Sequence, residues 1–403
     1  MLNKKRDIYL IIILTLTFAV QMLSLMGDFF KYFYLLIMAL TCLGFMVFAL
    51  EFKSRSLLPT FFLLSFLPSV FVAKISPSWA VDQFVSLSFR IFPASMAYFV
   101  KSTPYYIIGI SKFLIIMFGI FYIFWFLGFF ENTFADVNFE NNGAALILMC
   151  TPFILISKSF FVSLFSYFII TLIIFSDSKM GGLISLIQIT FIILYTKINF
   201  SPKSGLITFY SILLAVMLLV FLINFSIFFP QSMAEATGHE KGAGRTIQNY
   251  IGLVLLYNDP FIGIGMGQLQ FLVGDFFYKD SMAHGMINYI WVQSGLIPFL
   301  FFLYVSFISI SRPIRIFFEH RDPFLLALAV CNASNFLFFI TRPQQGNGPY
   351  FIYMFLGISC IYWATKTAPA RSAYATLTGR KKSRKPYGDN VPPLWNRSLK
   401  VSE

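Results

Sequence analysis

The chain has 403 residues, of which 58% are hydrophobic, 19% aromatic and only 12% charged, and its formal net charge is +13. Together with a mean hydropathy of +0.76, this composition excludes an ordinary soluble globular domain. The positive charge does not indicate a nucleic-acid surface, because nine Lys and Arg against two acids lie in the tail 366–403 and most others lie in short loops. The four cysteines all fall in apolar runs, so we expect buried packing residues rather than disulfides.

Apolar runs recur along almost the whole chain, and most approach the ~20 residues that a helix needs to cross a ~30 Å hydrocarbon layer. They lack the alternation of barrel strands, so we predict an all-α polytopic membrane protein. The first run is long enough to span, which argues against a cleaved signal peptide. The twelve predicted transmembrane helices are 8–26, 32–50, 57–73, 80–100, 105–130, 143–157, 160–175, 182–197, 205–229, 285–310, 324–340 and 349–365.

Lys and Arg are distributed unequally between the two sets of loops. If the N-terminus is cytoplasmic, it and the loops on that side hold twelve, the tail adds nine, and the opposite side receives seven. This asymmetry predicts that both termini are cytoplasmic. We therefore expect an integral membrane domain, 1–365, with one large periplasmic loop, 230–283. A basic cytoplasmic tail, 366–403, is expected to be disordered and to rest on anionic lipid.

The long loop contains a predicted amphipathic helix. In "GAGRTIQNYIGLVLLYNDP", apolar residues recur at helical spacing and Asn258-Asp259-Pro260 ends the pattern. Such a helix would lie in the membrane surface and hold Arg245, near its N-terminus, at headgroup depth, where a guanidinium can bind phosphate. The alternative is a solvated loop arginine. The apolar face comprises Ile247, Tyr250, Ile251, Val254 and Leu255.

The glycine-rich segment "GIGMG", 263–267, is interpreted as a tight turn beneath this helix. A nucleotide-binding loop is rejected because no strand of a βαβ unit precedes the glycines.

Several other polar groups lie at the outer ends of predicted spans. Lys179 stands at the mouth of the eighth, where a lysine that reaches the interface is the ordinary explanation. His284 opens the tenth, and Asn288 and Trp291 follow it at i+4 and i+7, which predicts one helical stripe. A hydrogen-bonded histidine beside an interfacial tryptophan is the alternative. Arg342 is a further outward cation.

The fourth predicted span carries two charges, Asp82 and Arg90. A charge inside a membrane is costly and is usually functional or paired, so Arg90 is a candidate for either role, and Asp82, two turns earlier, is a possible partner. The three histidines and the scattered acids form no metal-ligand pattern. We therefore expect no metal and no cofactor.

Four segments, in this order, resemble the O-antigen ligase and polymerase superfamily of bacterial inner-membrane glycan-assembly proteins. "NFENNGAALILMCTPF" resembles the Asn-rich entry to a span, and "SDSKMGGLISLIQITFIILY" resembles the Ser-Arg-Gly segment. "GAGRTIQNYIGLVLLYNDPFIGIGMGQ" resembles the Gly-x-Arg, amphipathic helix, Asn-x-Pro and Gly-x-Gly-x-Gly block, and "HGMINYIWVQSGLIPFLFFLYV" resembles the His-Asn helix start. The resemblance covers about residues 138–310. Lys179 stands where the family usually has Arg, and Gly285 replaces the usual Asn.

The resemblance implies a glycosyltransferase that moves an oligosaccharide from undecaprenyl diphosphate on the periplasmic side of the bacterial inner membrane. His284 and Arg245 would be catalytic, and Arg245, Lys179 and Arg342 would bind the diphosphate without a metal. In a polymerase of O-antigen, capsule or exopolysaccharide, which we favour, the acceptor is another lipid-linked unit; in a ligase it is lipid A-core. Membrane lipids, a chain-length regulator and a flippase are the further expected partners, and nucleic acid is not one.

Two other classes of protein stay open at this point. A flippase or transporter of lipid-linked oligosaccharide would use the many spans and the intramembrane charges Asp82 and Arg90. The absence of a repeat between the two halves and the single long loop make a transporter the weaker interpretation. The second class is a structural membrane scaffold, and only the basic tail supports that interpretation.

Overall fold

The computed structural model describes residues 8, 11–17, 57–100, 103–127, 139–157, 160–175, 179–198, 200–223, 225–232, 243–273, 285–341 and 348–364. Every regular element in these ranges is a helix, which confirms the predicted helical class. The chain divides into two units, Met1–Ala368 and Pro369–Glu403, and the second lies outside the described residues.

The helices follow the apolar runs closely, because a backbone without access to water must satisfy its hydrogen bonds within a helix. They are α1 (Leu57–Leu64), α2 (Leu67–Phe71), α3 (Pro77–Ala94), a 3₁₀ turn (Ser95–Phe99), α4 (Tyr106–Phe126), α5 (Phe139–Leu155), α6 (Phe160–Phe175), α7 (Lys179–Lys197), α8 (Pro202–Ile223), α9 (Phe225–Phe228), α10 (Ala243–Asn258), α11 (Leu269–Val273), a π-helix (Ile287–Val292), α12 (Leu296–His320), α13 (Pro323–Thr341) and α14 (Gly348–Trp363).

Three helical stretches among the described residues are long and apolar enough to cross a membrane: Pro202–Leu222, Leu296–His320 and Pro323–Ile340. Shorter apolar helices accompany them. These stretches support a membrane-embedded helical protein, and the predicted total of twelve spans stays a prediction.

Helix α13 forms the centre of the core. It packs against α5, α7, α12 and α14, and every residue from Phe324 to Val330 is buried. The amide of Asn332 donates to the carbonyl oxygens of Ser309 on α12 at 3.0 Å and of Tyr353 on α14 at 3.1 Å. A hydrogen-bonded amide within an apolar bundle links neighbouring helices. The side chain of Asn332 therefore joins α12, α13 and α14.

The cysteines that the structure describes, Cys150, Cys331 and Cys360, are buried free thiols, as expected. The fourth, Cys42, lies outside the described residues.

The prediction of one continuous helix over 285–310 is wrong. The π-helix ends at Val292, the backbone adopts a φ of 90° at Gly295, and α12 begins only at Leu296. A side chain at Gly295 would collide with the carbonyl oxygen of Phe261, so this break requires glycine.

The far end of the same span also differs from the prediction. Helix α12 continues to His320, so Arg312 and Arg315, which were predicted in a loop, lie within it. The guanidinium of Arg312 donates to the carbonyl oxygen of Ile358 on α14 at 2.6 Å. A long basic side chain can occupy the end of a membrane helix, because its apolar stem packs on the helix while its charged group reaches a polar partner.

The turn between α12 and α13 consists of Arg321, with a φ of 54°, and Asp322. The carboxylate of Asp322 caps α13 by accepting from the backbone N–H of Phe324 at 3.0 Å, and it also accepts from the Tyr105 hydroxyl at 2.8 Å. Burial raises the pKa of Asp322 above its ordinary value, and the hydrogen bond from Tyr105 acts in the opposite direction.

Candidate functional site

Helix α10 begins and ends where the sequence predicts. It runs from Ala243 to Asn258, so Arg245 occupies its first turn, and the Asn-Asp-Pro segment ends it. The side chain of Arg245 lies outside the description. The confirmed part of this prediction is thus the backbone position of the arginine.

The face of α10 that packs on the protein differs from the predicted apolar face. Thr246 and Gln248 are fully buried beside Ile247, whereas Val254 is 44% and Tyr257 is 90% exposed. The helix therefore turns polar groups of its first half inward and leaves apolar groups of its second half outward. Exposed apolar groups beside a membrane-embedded core are suited to contact with lipid.

Helix α10 contacts the π-helix through a pair of amides. The Asn288 side chain, which is 2% exposed, donates to the side-chain oxygen of Asn249 at 2.5 Å. Gly252, one turn further along α10, provides the room for this contact, since a side chain there would collide with the Asn288 oxygen. The pair joins the helix that bears Arg245 to the segment that follows His284.

The predicted stripe of His284, Asn288 and Trp291 assumed an α-helix, but Asn288 and Trp291 lie in the π-helix, and His284 lies outside the described residues. Asn288 and Trp291 contact different partners, Asn249 on α10 and the loop after α10. The indole of Trp291 donates to the carbonyl oxygen of Pro260 at 2.8 Å and stacks on Phe299 with 4.9 Å between ring centroids. This tryptophan thus links the π-helix to the loop after α10.

A small cavity lies beside the amide pair. Its volume of about 20 Å³ accommodates roughly one water molecule. Both amides border it, together with Gly285, the residue directly after His284. The remaining lining residues are apolar: Phe221, Phe228, Leu253, Met286, Ile287 and Ile340.

Residues 263–267, which we call the glycine clamp, form the tight turn that the sequence predicts. Gly263, Gly265 and Gly267 all have positive φ. The backbone N–H of Ile264 donates to the carbonyl of Val292 at 2.9 Å, and that of Gly265 donates to the carbonyl of Gln293 at 3.0 Å. The N–H of Gly267 donates to the Gln293 side chain. The clamp is thereby attached to the end of the π-helix.

The other side of the clamp is attached to the loop before α3. The side-chain oxygen of Gln268 accepts from the backbone N–H groups of Ile75 at 3.0 Å and Ser76 at 2.8 Å, and its amide donates back to the Ser76 carbonyl at 3.0 Å. The N–H of Met266 donates to the carbonyl of Ser69 at 3.1 Å. Sequence reasoning assigned no role to Gln268, because its partners lie far away in the chain.

Helix α3 lies along the clamp and carries Asp82 and Arg90, the two charges of the fourth predicted span. The indole of Trp79 lies against Gly267. Arg90, about three turns further, is partly buried and lies close enough to the Tyr289 phenol of the π-helix for electrostatic interaction. Asp82 is exposed. Arg90 thus lies near the π-helix, the element that follows His284.

The other predicted site residues are described only in part. Lys179 is the first residue of α7, as expected for the mouth of a span, but its side chain lies outside the description. His284 and Arg342 lie outside the described residues. Among the residues that the structure describes, no group of three or more His, Cys, Asp or Glu could hold a metal ion.

Comparison with known proteins adds no assignment: no protein-family model matches the chain, and no curated protein matches it.

Proposed function

We propose that this protein is a membrane glycosyltransferase of the bacterial inner membrane that works without a metal. It would transfer an oligosaccharide from undecaprenyl diphosphate on the periplasmic side and so polymerise repeat units of O-antigen, capsule or exopolysaccharide. The supporting observation is the packing of α10, with Arg245 in its first turn, on the π-helix that begins three residues after His284. The proposal includes twelve spans, cytoplasmic termini and a periplasmic loop 230–283.

The chemistry of the step suits these residue types. The acceptor hydroxyl oxygen attacks the anomeric carbon of the donor sugar, the bond from that carbon to the diphosphate oxygen breaks, and its electron pair leaves with the lipid diphosphate. Arg245, Lys179 and Arg342 would stabilise the charge that develops on this leaving group. His284 would accept or orient the proton of the attacking hydroxyl.

The proposed depth of the site agrees with the exposed apolar residues around it. Tyr257, at the end of α10, is 90% exposed, and Phe261 and Ile297 are 69% and 72% exposed. The Phe261 carbonyl accepts from the N–H of Leu296, the first residue of α12, and Ile297 lies within α12, a candidate membrane span. Aromatic and aliphatic groups in this position support contact with the membrane interface, which is where a lipid diphosphate lies.

The direct test replaces Arg245 or His284 by Ala in the native host. Loss of a catalytic or diphosphate-binding group should abolish long-chain glycan while protein abundance stays unchanged, as measured by polysaccharide gel ladders and immunoblotting. Arg315→Ala, at an exposed arginine near the other end of α12, is the matched control and should leave the ladder intact. Normal ladders from both site variants would refute the proposal.

The glycan of a deletion strain distinguishes polymerase from ligase. A single repeat unit attached to lipid A-core indicates a polymerase. Free lipid-linked polymer with nothing attached to the core indicates a ligase.

A second candidate, a flippase for lipid-linked oligosaccharide, is favoured by one observation, the partly buried position of Arg90 near the π-helix. A transporter should depend on this membrane-embedded charge and not on His284. Loss of glycan in Arg90→Gln together with full activity in His284→Ala would therefore favour transport.

A further inference from the structure

Two glutamines, Gln268 and Gln293, are 0% and 2% exposed and hold the glycine clamp from opposite sides. We propose that both are positioning residues for the transfer reaction. Through the clamp they would fix the π-helix, and with it the start of the segment that follows His284, against the loop before α3. This inference rests on the proposed function.

The Gln293 side of the clamp supports the end of an uncommon helix. A helix end leaves carbonyl groups without partners inside the helix. Here the carbonyls of Val292 and Gln293 accept from Ile264 and Gly265, while the Gln293 side chain accepts from Gly267. π-Helices are rare and occur mostly as single turns, frequently at functional sites. The three bonds therefore attach the end of this uncommon helix to the clamp.

The Gln268 side of the clamp gives that support a fixed base. Both ends of its amide are engaged by the backbone of Ile75 and Ser76, directly before α3. Helix α3 also packs against α14, which belongs to the core. Gln268 thus links the clamp to a helix that the core itself holds.

Both glutamines would act on the reaction through other groups. Each side chain is buried and bound to backbone atoms, so neither is placed to touch a substrate. Small displacements of a reacting group, of about 1 Å, can lower a rate by about 100-fold. Loosening the clamp should therefore reduce turnover more than it reduces donor binding.

The test uses the full-length protein in lipid nanodiscs with a lipid-linked oligosaccharide as donor, and it measures kcat, donor KM and thermal unfolding. Gln293→Met keeps the side-chain length and removes the acceptor of the Gly267 N–H, whereas Gln293→Glu keeps a carbonyl oxygen. We expect Gln293→Met to lower kcat by about 10- to 100-fold with donor KM nearly unchanged. Gln293→Glu should recover part of the loss.

A double variant and a matched control complete the design. Because both glutamines act through one clamp, Gln268→Met combined with Gln293→Met should lower kcat little more than the more damaging single change. Gln188→Met is the control: Gln188 is also fully buried and donates to the Leu148 carbonyl at 2.9 Å, but it lies within α7, outside the clamp. Its loss should lower the unfolding temperature without a selective fall in kcat.

The outcomes separate the two proposals. The positioning role is overturned if Gln293→Met keeps the wild-type kcat. It is also overturned if kcat falls only in proportion to the loss of folded protein, as expected for Gln188→Met. If Gln293→Met does not fold, Gln268→Glu replaces it, because it keeps the acceptor for Ile75 and Ser76 but loses the donor, and the same criteria apply. If the wild-type protein transfers no oligosaccharide from the lipid-linked donor, the proposed function itself fails and the positioning role fails with it.

Discussion

The core helices α12–α14 and the outer region, residues 243–273 and 285–295, meet the same physical demand in different ways. Lipid offers no hydrogen bonds, so buried backbone groups need partners within the protein. The core consists of regular helices that satisfy their own backbone, and one amide, that of Asn332, links three of them. In the outer region the backbone leaves helical geometry, and the side chains of Gln268 and Gln293 serve as its partners. The core therefore depends on close packing of many residues, and the outer region depends on a few.

The largest expected effect comes from Gly265→Ala, which tests the outer region. Gly265 has a φ of 105°, and an added methyl would lie 2.6 Å from the Cα of Ala73. Backbone strain and steric overlap together should lower the free energy of unfolding by about 3–5 kcal/mol. Thermal unfolding in detergent measures the change.

Gly285→Ala separates the two causes of that loss. Gly285 also has a positive φ, of 80°, but its nearest potential contact is the Ile340 carbonyl oxygen at 3.1 Å. This variant should lose mainly the conformational contribution, about 1–2 kcal/mol, because the Ile340 carbonyl needs to move by only a few tenths of an ångström. Equal losses at both glycines would show that close packing against Ala73 contributes nothing.

An intermediate effect is expected from Gly357→Ala, which tests the core. A methyl at Gly357 would collide with the Ser309 carbonyl and lie 2.5 Å from the Asn332 amide nitrogen. Overpacking should lower the free energy of unfolding by about 1–3 kcal/mol, measured in the same way.

The control for the core is Gly109→Ala on α4, where a methyl would meet nothing within 4 Å. The higher helix propensity of Ala should make this change neutral or stabilising by up to about 1 kcal/mol. A comparable loss in Gly357→Ala and Gly109→Ala would contradict the packing explanation.

The smallest effect is a pH dependence at the turn that connects two core helices. Burial raises the pKa of Asp322 in the folded protein, so the folded state binds a proton more readily than the unfolded chain. The resulting stability is present below the unfolded pKa of about 3.9 and is lost as pH rises through the folded pKa. Asp322→Asn cannot titrate, so its stability relative to wild type should increase from pH 4 to pH 7.

Tyr105→Phe sharpens this last measurement. The Tyr105 hydroxyl donates to Asp322 and lowers its pKa, so removal of that hydroxyl should move the loss of stability to higher pH. Unfolding temperatures of the three proteins across this pH range test the sign. A shift to lower pH would contradict the assigned cause.

Helix positions could be predicted from the sequence because they depend on neighbouring residues. The glycine-rich lead-in and the Asn-Asp-Pro end of α10 lie within a few residues of the boundaries that they set. The tight turn at Gly263–Gly267 was likewise evident from local composition. The same local information contained a signal that the prediction of a span over 285–310 missed: Ser294-Gly295 followed by Pro298, a pattern typical of a helix start.

The connections of the candidate site could not be predicted in the same way. The bonds from Gln268 to Ile75 and Ser76 join residues 193 and 192 positions apart, and no local pattern encodes such a pair. The position of Asn288 against Gly252 required the π-helical turn, whereas the prediction assumed an α-helical period. These features arise from the packing of distant elements, so they become visible only in the folded protein.

The enclosed position of α13 has a consequence for how the protein is made. A helix that is buried along nearly its whole length has no side that faces lipid in the finished protein, yet it must enter the bilayer before all its neighbours are synthesised. Arg321 and Asp322 connect it so tightly to α12 that the two can insert as a helical hairpin. Asn332 then finds the Ser309 carbonyl on α12, made just before it, and the Tyr353 carbonyl when α14 emerges later. The order of synthesis thus presents a first partner for the buried amide at the moment of its insertion.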